Sequence, residues 1–125
     1  MGGGRLMGLD MTTKNGNSFS ISYSGFMGMR LNIAKAYDNE KYELYKKCMN
    51  WNLTKKEFKK MYFGDLQEFL FHSDCDGMLK LCTIRKTLRE LEKLDLEDCP
   101  WKPEIKQMME FFREAIKEKQ RIYFE

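Results

Sequence analysis

The sequence predicts an α+β fold, in which a small antiparallel sheet packs with five or six helices. Three observations predict it: an N-terminal hairpin signal, helical periodicity through the middle, and a short aromatic and β-branched segment at the end. The chain has 125 residues, of which 42% are apolar and 14% aromatic. This composition is enough for a single globular domain over residues 7–125. The expected sheet has three strands, two from the hairpin and one from the C-terminal segment.

The hairpin is predicted around Asn15 and Gly16, because Asn-Gly is the strongest short hairpin signal. Its arms are residues 9–14 and 18–24. In the second arm three apolar residues alternate with four serines. This alternation indicates a strand with one apolar face and one face rich in hydroxyls.

Apolar residues at helical spacing, together with capping signals, predict the helices. Ser24 is the expected N-cap of the first helix, and Thr54 with Glu57 forms the capping box of the third. Pro103 is suited to the first turn of the last helix. The expected helices are, in order, about 25–37, 39–49, 55–62, 65–70, 81–95 and 103–116. Residues 121–124 are the expected closing strand.

The first six residues carry no periodicity and include three successive glycines. Residues 1–6 are therefore interpreted as a leader, either a misassigned translation start ahead of Met7 or a cloning remnant. A genuine flexible tail is the alternative.

Positive charge is concentrated between residues 40 and 60, with seven lysines against three glutamates, whereas the whole chain has a net charge of +3. Lysines spaced four apart share a helix face, here beside Phe58 and Trp51. An acidic protein surface or a nucleic-acid backbone is the expected partner, and a merely solvated face is the alternative. Lysine without arginine reads bases poorly, so nucleic-acid contacts would be to phosphates. The predicted lysine surface comprises Lys46, Lys47, Lys55, Lys56, Lys59 and Lys60.

A second candidate site is polar. Ser24 at a helix start, with Arg30 further along, is a possible anion seat, and plain capping is the alternative. Residues 72–77 suggest an EF-hand, but the first and twelfth loop positions are wrong for one. An Asx-type turn or a looser divalent-ion site remain as interpretations of this loop. The ligand-binding candidates are Ser24, Arg30, His72, Asp74 and Asp76.

Several classes of function are disfavoured. The chain has one His and no nucleophile motif, which argues against a catalytic triad. Cys82 and Cys99 are expected at opposite ends of one helix, roughly 20 to 25 Å apart, which disfavours a zinc site with His72 and Cys75 and favours reduced thiols. No cofactor or metal is therefore expected. The absence of a long apolar run and of a disulfide pattern predicts a cytoplasmic protein with no membrane partner.

Three segments form an ordered series that carries a resemblance. They are Met7-Gly8-Leu9-Asp10-Met11, then Tyr23-Ser24-Gly25-Phe26 with Arg30, and then His72-Ser73-Asp74-Cys75-Asp76-Gly77 followed by Cys82. The series resembles a group of small uncharacterised bacterial and phage proteins with a Gly-Leu-Asp start, a Tyr-Ser-Gly-Phe segment and a Ser-Asp-Cys-Asp-Gly loop. The resemblance covers Met7 to about Leu94 and the apolar ending, and it favours Met7 as the start. It implies a bacterial or phage source and no particular chemistry.

These observations predict a non-catalytic cytoplasmic binding protein of a bacterium or its mobile elements. It would engage a macromolecular partner through the lysine surface, for example as a defence inhibitor in phage–host conflict. One alternative is a small metal- or phosphate-dependent enzyme, with Asp74 and Asp76 as ion ligands, His72 as general base and Arg30 as a clamp. Another is a nucleotide-sequestering binder that uses Ser24 and Arg30.

Overall fold

The structure is a computed structural model that describes residues 8–73 and 76–125. The predicted leader, residues 1–6, lies outside the described residues, as do Asp74 and Cys75 of the predicted loop. Within the described ranges the chain forms a four-stranded antiparallel sheet and six α-helices. The predicted α+β fold is confirmed.

The N-terminal hairpin forms where the Asn-Gly signal predicts it. Strand β1 (Gly8–Thr12) pairs antiparallel with β2 (Ser18–Ser22). The turn is closed by the amide of Gly16, which donates to the carbonyl of Thr13 at 3.1 Å, and Gly16 has φ +99°. Because an L side chain disfavours this φ, glycine at this position allows the turn.

The sheet has one more strand than expected. The predicted C-terminal strand forms as β4 (Ile122–Phe124) and pairs antiparallel with β1. A two-residue strand, β3 (Met78–Leu79), pairs with the other edge of β4, which gives the order β2-β1-β4-β3. Two residues are too short to show an alternating pattern, so the sequence gives no signal for β3.

The helices follow the predicted order, although the third and fifth end two to three residues earlier than expected and the start of the first is corrected. They are α1 (Tyr23–Tyr37), α2 (Asn39–Met49), α3 (Lys55–Lys60), α4 (Gln67–Leu70) after a 3-10 turn at Gly64–Leu66, α5 (Leu81–Glu92) and α6 (Lys102–Lys117). The expectation that Ser24 caps α1 and that the strand continues to it is wrong. Ser22 is the N-cap, and its hydroxyl accepts from the Gly25 amide at 3.0 Å. The strand therefore ends two residues earlier, although Tyr23 continues its alternating pattern.

The core lies between the inner face of the sheet and the helices α1 and α6. Aromatic edges connect these layers: Phe26 of α1 lies 6.2 Å from Phe124 of β4 and 5.9 Å from Phe69, ring centre to ring centre. Phe69 in turn contacts Phe112 of α6 at 6.1 Å. Such edge-to-face contacts add to the apolar burial that holds the layers together.

Helix α1 is also held from its outer side by the connector ahead of α6. The indole of Trp101 packs against Gly28, where a Cβ would overlap the ring. Glycine is unfavourable within a helix, so its use here is explained by this close approach. The ring contacts of Phe26 and the packing of Trp101 on Gly28 fix the position of α1. They therefore also fix the residues of α1 that face the loop at 72–77.

Candidate functional site

Arg30 is a buried cation on the inner face of α1. Its side chain is 6% exposed, and its guanidinium carbon lies 4.0 Å from the ring centre of Phe26. Nη2 donates to the main-chain carbonyl of His72 at 2.6 Å. Arg30 therefore connects α1 to the start of the 72–77 loop, and the two segments that sequence analysis singled out lie together.

His72 holds the same loop from inside. Its Nδ1 lies 2.8 Å from the carbonyl oxygen of Ser73, and its Nε2 lies 3.0 Å from that of Met78. The ring also packs on Phe124, with 4.1 Å between ring centres. The imidazole thus ties the loop to β3 and β4. Gly77 has φ +90°, and a Cβ there would lie 3.1 Å from the ring, which explains the glycine in the motif.

Ser24, another member of the polar candidate set, does not join Arg30 and His72. Ser24 is exposed, and its hydroxyl lies 3.3 Å from that of Ser22. Six residues separate it from Arg30, which is about 120° around the helix. The structure does not bring these two together into one anion seat. Asp76 is exposed, and Asp74 is not among the described residues.

Tyr45 of α2 adds a buried polar contact next to this region. Its hydroxyl donates to the carbonyl of Leu70 at 2.7 Å, and the side chain is fully buried. Burial raises the pKa of Tyr45 to about 12, against the opposite effect of the nearby Arg30 charge. Tyr45 and Arg30 therefore donate to main-chain carbonyls at the end of α4 and just after it, which is a supporting role.

The arrangement around Arg30 thus resembles an internal brace more than a ligand pocket. A guanidinium that is covered by aromatic rings and bonded to a main-chain carbonyl has little surface for a phosphate. Within residues 8–73 and 76–125, no three His, Cys, Asp or Glu side chains are grouped so that they could hold a metal ion. An open depression of about 680 Å³ lies beside the loop, between Thr12–Lys14, Gly77–Met78 and Tyr123–Glu125. Its charged side chains are Lys14 and Glu125.

The structure divides the predicted lysine surface into two parts. On α2, Lys46 pairs with Glu43 at 3.2 Å, and Lys47 pairs with Glu57 of α3 at 2.9 Å. The hydrogen bond from Lys47, followed by that from Thr54, lowers the pKa of Glu57. Hydrogen bonding to Glu43 raises the pKa of Lys46. These two lysines are therefore partly neutralised by neighbours.

The other part consists of four lysines on α3. All four are exposed, and none forms an ion pair with any residue that the structure describes. We call Lys55, Lys56, Lys59 and Lys60 the α3 lysines. The helix that carries them is fixed by the Thr54–Glu57 capping box and by the Lys47–Glu57 bridge to α2. Their charge is therefore presented from a defined position.

Three large aromatic side chains are exposed in the same segment of the chain. Trp51 is 93% exposed, Tyr62 60% and Phe58 53%. We call these three residues the aromatic strip. The sequence pattern places Trp51 and Phe58 beside the lysines and includes Tyr62 in the expected helix 55–62. Its neighbours Met61 and Phe63 are buried, so Tyr62 points away from the core at the end of α3.

No family model, curated protein or solved structure matches the chain. Among the helices of the described segments, none has both the length and the apolar character that crossing a membrane requires.

Proposed function

We propose that this chain is a non-catalytic binding protein that engages an anionic macromolecule through the lysine surface. The observation that carries the proposal is the set of α3 lysines, four exposed cations that are not neutralised by any described residue. Like charges this close repel one another, and a polyanion relieves that repulsion while releasing its own counterions. An acidic protein surface and a nucleic-acid backbone are the two chemistries with this property.

The aromatic strip supports the proposal independently of charge. Exposed apolar area that is concentrated in one segment is typical of an interaction surface. Trp51 precedes the helix that carries the α3 lysines, and Phe58 lies within that helix between Lys56 and Lys59. A partner that covers the lysines would also remove these rings from water.

The contacts that Arg30 and His72 make within the fold favour a binding function over a catalytic one. An enzyme that used Arg30 as a clamp would need its guanidinium at a surface, whereas its Nη2 contacts the His72 carbonyl in the interior. The proposal includes a cytoplasmic location in a bacterium or a phage-infected cell, since this is the source that the resemblance implies. Inhibition of a host defence protein is one role that such a binder would fill.

Charge reversal with a matched control tests the proposal. One variant replaces all four α3 lysines with Glu. The control also places Glu at four exposed lysines elsewhere, so that both variants carry the same net charge; these are Lys80, Lys86, Lys106 and Lys117. The probe is retention on an immobilised polyanion, heparin, at about 0.15 M salt. We expect wild type and control to be retained and the α3 variant to flow through. Equal loss in both variants, or no retention of wild type, would overturn the proposal.

A further inference from the structure

Trp51 occupies a backbone position that suits glycine. Its amide donates to the carbonyl of Cys48, and the amide of Asn52 donates to the carbonyl of Lys47. These two hydrogen bonds make the end of α2 a Schellman motif with Trp51 at the C′ position. There Trp51 has φ +58°. A bulky side chain is strained in this left-handed conformation, and an indole that is 93% exposed gains nothing from burial in return. Folding alone does not explain a tryptophan here.

The backbone that carries the aromatic strip returns along α2. The segment that carries it runs antiparallel to α2, since Glu57 bonds Lys47 and the carbonyl of Tyr62 accepts from Lys41 at 2.6 Å. Six helical residues separate Lys41 from Lys47, which is about 9 Å along the axis. Trp51 lies beyond one end of this interval and Tyr62 at the other. The backbone from Trp51 to Tyr62 therefore runs back along α2, and along the sequence two of the α3 lysines lie on each side of Phe58.

The mixture of residue types favours one class of partner. Protein interfaces use exposed aromatics but are depleted in lysine, whereas this segment has four lysines around one phenylalanine. A helix that inserts into a lipid surface needs a continuous apolar face, and α3 has only Phe58 for one. Aromatic rings for base stacking, interspersed with lysines for phosphates, are the features of a surface for single-stranded nucleic acid.

We propose that the aromatic strip and the α3 lysines together bind single-stranded nucleic acid, with bases stacked on Trp51, Phe58 and Tyr62 and phosphates on the lysines. This inference rests on the proposed function and names its partner. Duplexes present their bases only at edges in the grooves, so they would contact the lysines without the stacking. The site reads no particular sequence, because every base has a face that can stack.

Tryptophan fluorescence and anisotropy test the proposal on the full chain. The probes are a fluorescein-labelled oligothymidylate of about 15 nucleotides, a duplex of the same length, polyglutamate and anionic vesicles. We expect the single strand to quench Trp51 and to bind at least 10-fold more tightly than the duplex. Trp51→Gly removes the strain together with the ring, so it should lose about 10-fold in affinity while its Tm rises. Tyr123→Ala, which removes an aromatic ring from β4, is the matched control.

The salt dependence of binding separates the contribution of the α3 lysines from that of the aromatic strip. If four lysines each neutralise one phosphate, the logarithm of the binding constant should fall against the logarithm of salt with a slope of about −3. Replacing the α3 lysines with Gln should bring the slope close to zero, whereas Phe58→Ala should weaken binding at every salt concentration and leave the slope unchanged.

The outcomes distinguish this inference from the proposed function. Binding of polyglutamate or vesicles without the single strand would overturn the inference and leave the lysine surface as a binding site of another kind. Equal affinity for duplex and single strand, with no effect of Trp51→Gly, would also overturn it. No binding to any polyanion would remove both proposals.

Discussion

Replacing Arg30 with Met tests whether this residue braces the fold or serves a ligand. The substitution keeps a long apolar side chain against the rings of Phe26 and Phe69, but it removes the guanidinium. The His72 carbonyl then loses a donor 2.6 Å away in the interior. The expected effect is on the free energy of unfolding, whatever the chain binds.

The magnitude follows from the contacts. A hydrogen bond to a charged group contributes about 1.5 to 3 kcal/mol, and a desolvated cation over an aromatic ring about 0.5 to 2 kcal/mol. The loss of this stabilisation is partly offset, because removing the buried charge also removes its desolvation cost. We expect a net loss of about 2 kcal/mol, which for a chain of this length lowers the Tm by about 8 °C.

Urea unfolding followed by circular dichroism measures this loss, provided that the m-value is unchanged. Arg113→Met is the control, since Arg113 is a partly exposed arginine whose ion pairs with Glu92 and Glu110 contribute little. If Arg30→Met is no less stable than Arg113→Met, the brace is refuted. A phosphate-induced rise in Tm that only Arg30→Met loses would then support the anion-seat interpretation.

Three further predictions concern packing, a buried hydrogen bond and pH. Alanine in place of a helical glycine normally stabilises the folded state by about 1 kcal/mol. Gly28→Ala should instead destabilise it, since the new methyl group meets the indole of Trp101. A rise in Tm would show that the indole moves aside freely. Tyr45→Phe should cost about 1 to 2 kcal/mol in urea unfolding, because the Leu70 carbonyl loses its donor. Burial raises the pKa of Tyr45 to about 12, above the value of about 10 for an unfolded tyrosine. The folded chain therefore keeps this proton longer, and wild type should lose stability from about pH 10 to pH 12 more steeply than Tyr45→Phe; equal slopes would contradict the shift.

Elements with a local signal were predicted well from the sequence. The Asn-Gly turn and the Thr54–Glu57 capping box depend on residues a few positions apart, and both appear in the structure where they were expected. The start of α1 was misplaced because Ser22 and Ser24 are equally good caps in isolation. Main-chain geometry decides between them, and β3 exists only because β4 provides a partner.

The candidate sites were harder, because burial and pairing are long-range. Arg30 and His72 are 42 residues apart, and only the folded chain shows that the guanidinium is internal. The lysine surface was visible as a run of charge, but its division depends on which lysines find a carboxylate. Glu57 reaches back to Lys47 across the loop, whereas the α3 lysines find no carboxylate among the described residues. Charge counting alone treats all of them as equal.

A second left-handed residue provides an internal reference for Trp51. Lys119 follows α6 in the same motif, with φ +55° and the Gln120 amide bonded to Ala115 at 2.8 Å. A solvated lysine at C′ has the same backbone strain but exposes no large ring. Lys119→Gly and Trp51→Gly should therefore raise the Tm by similar amounts, because each relieves one strained position. Only Trp51→Gly should weaken binding of the labelled oligothymidylate; a comparable loss with Lys119→Gly would mean that the indole contributes nothing specific.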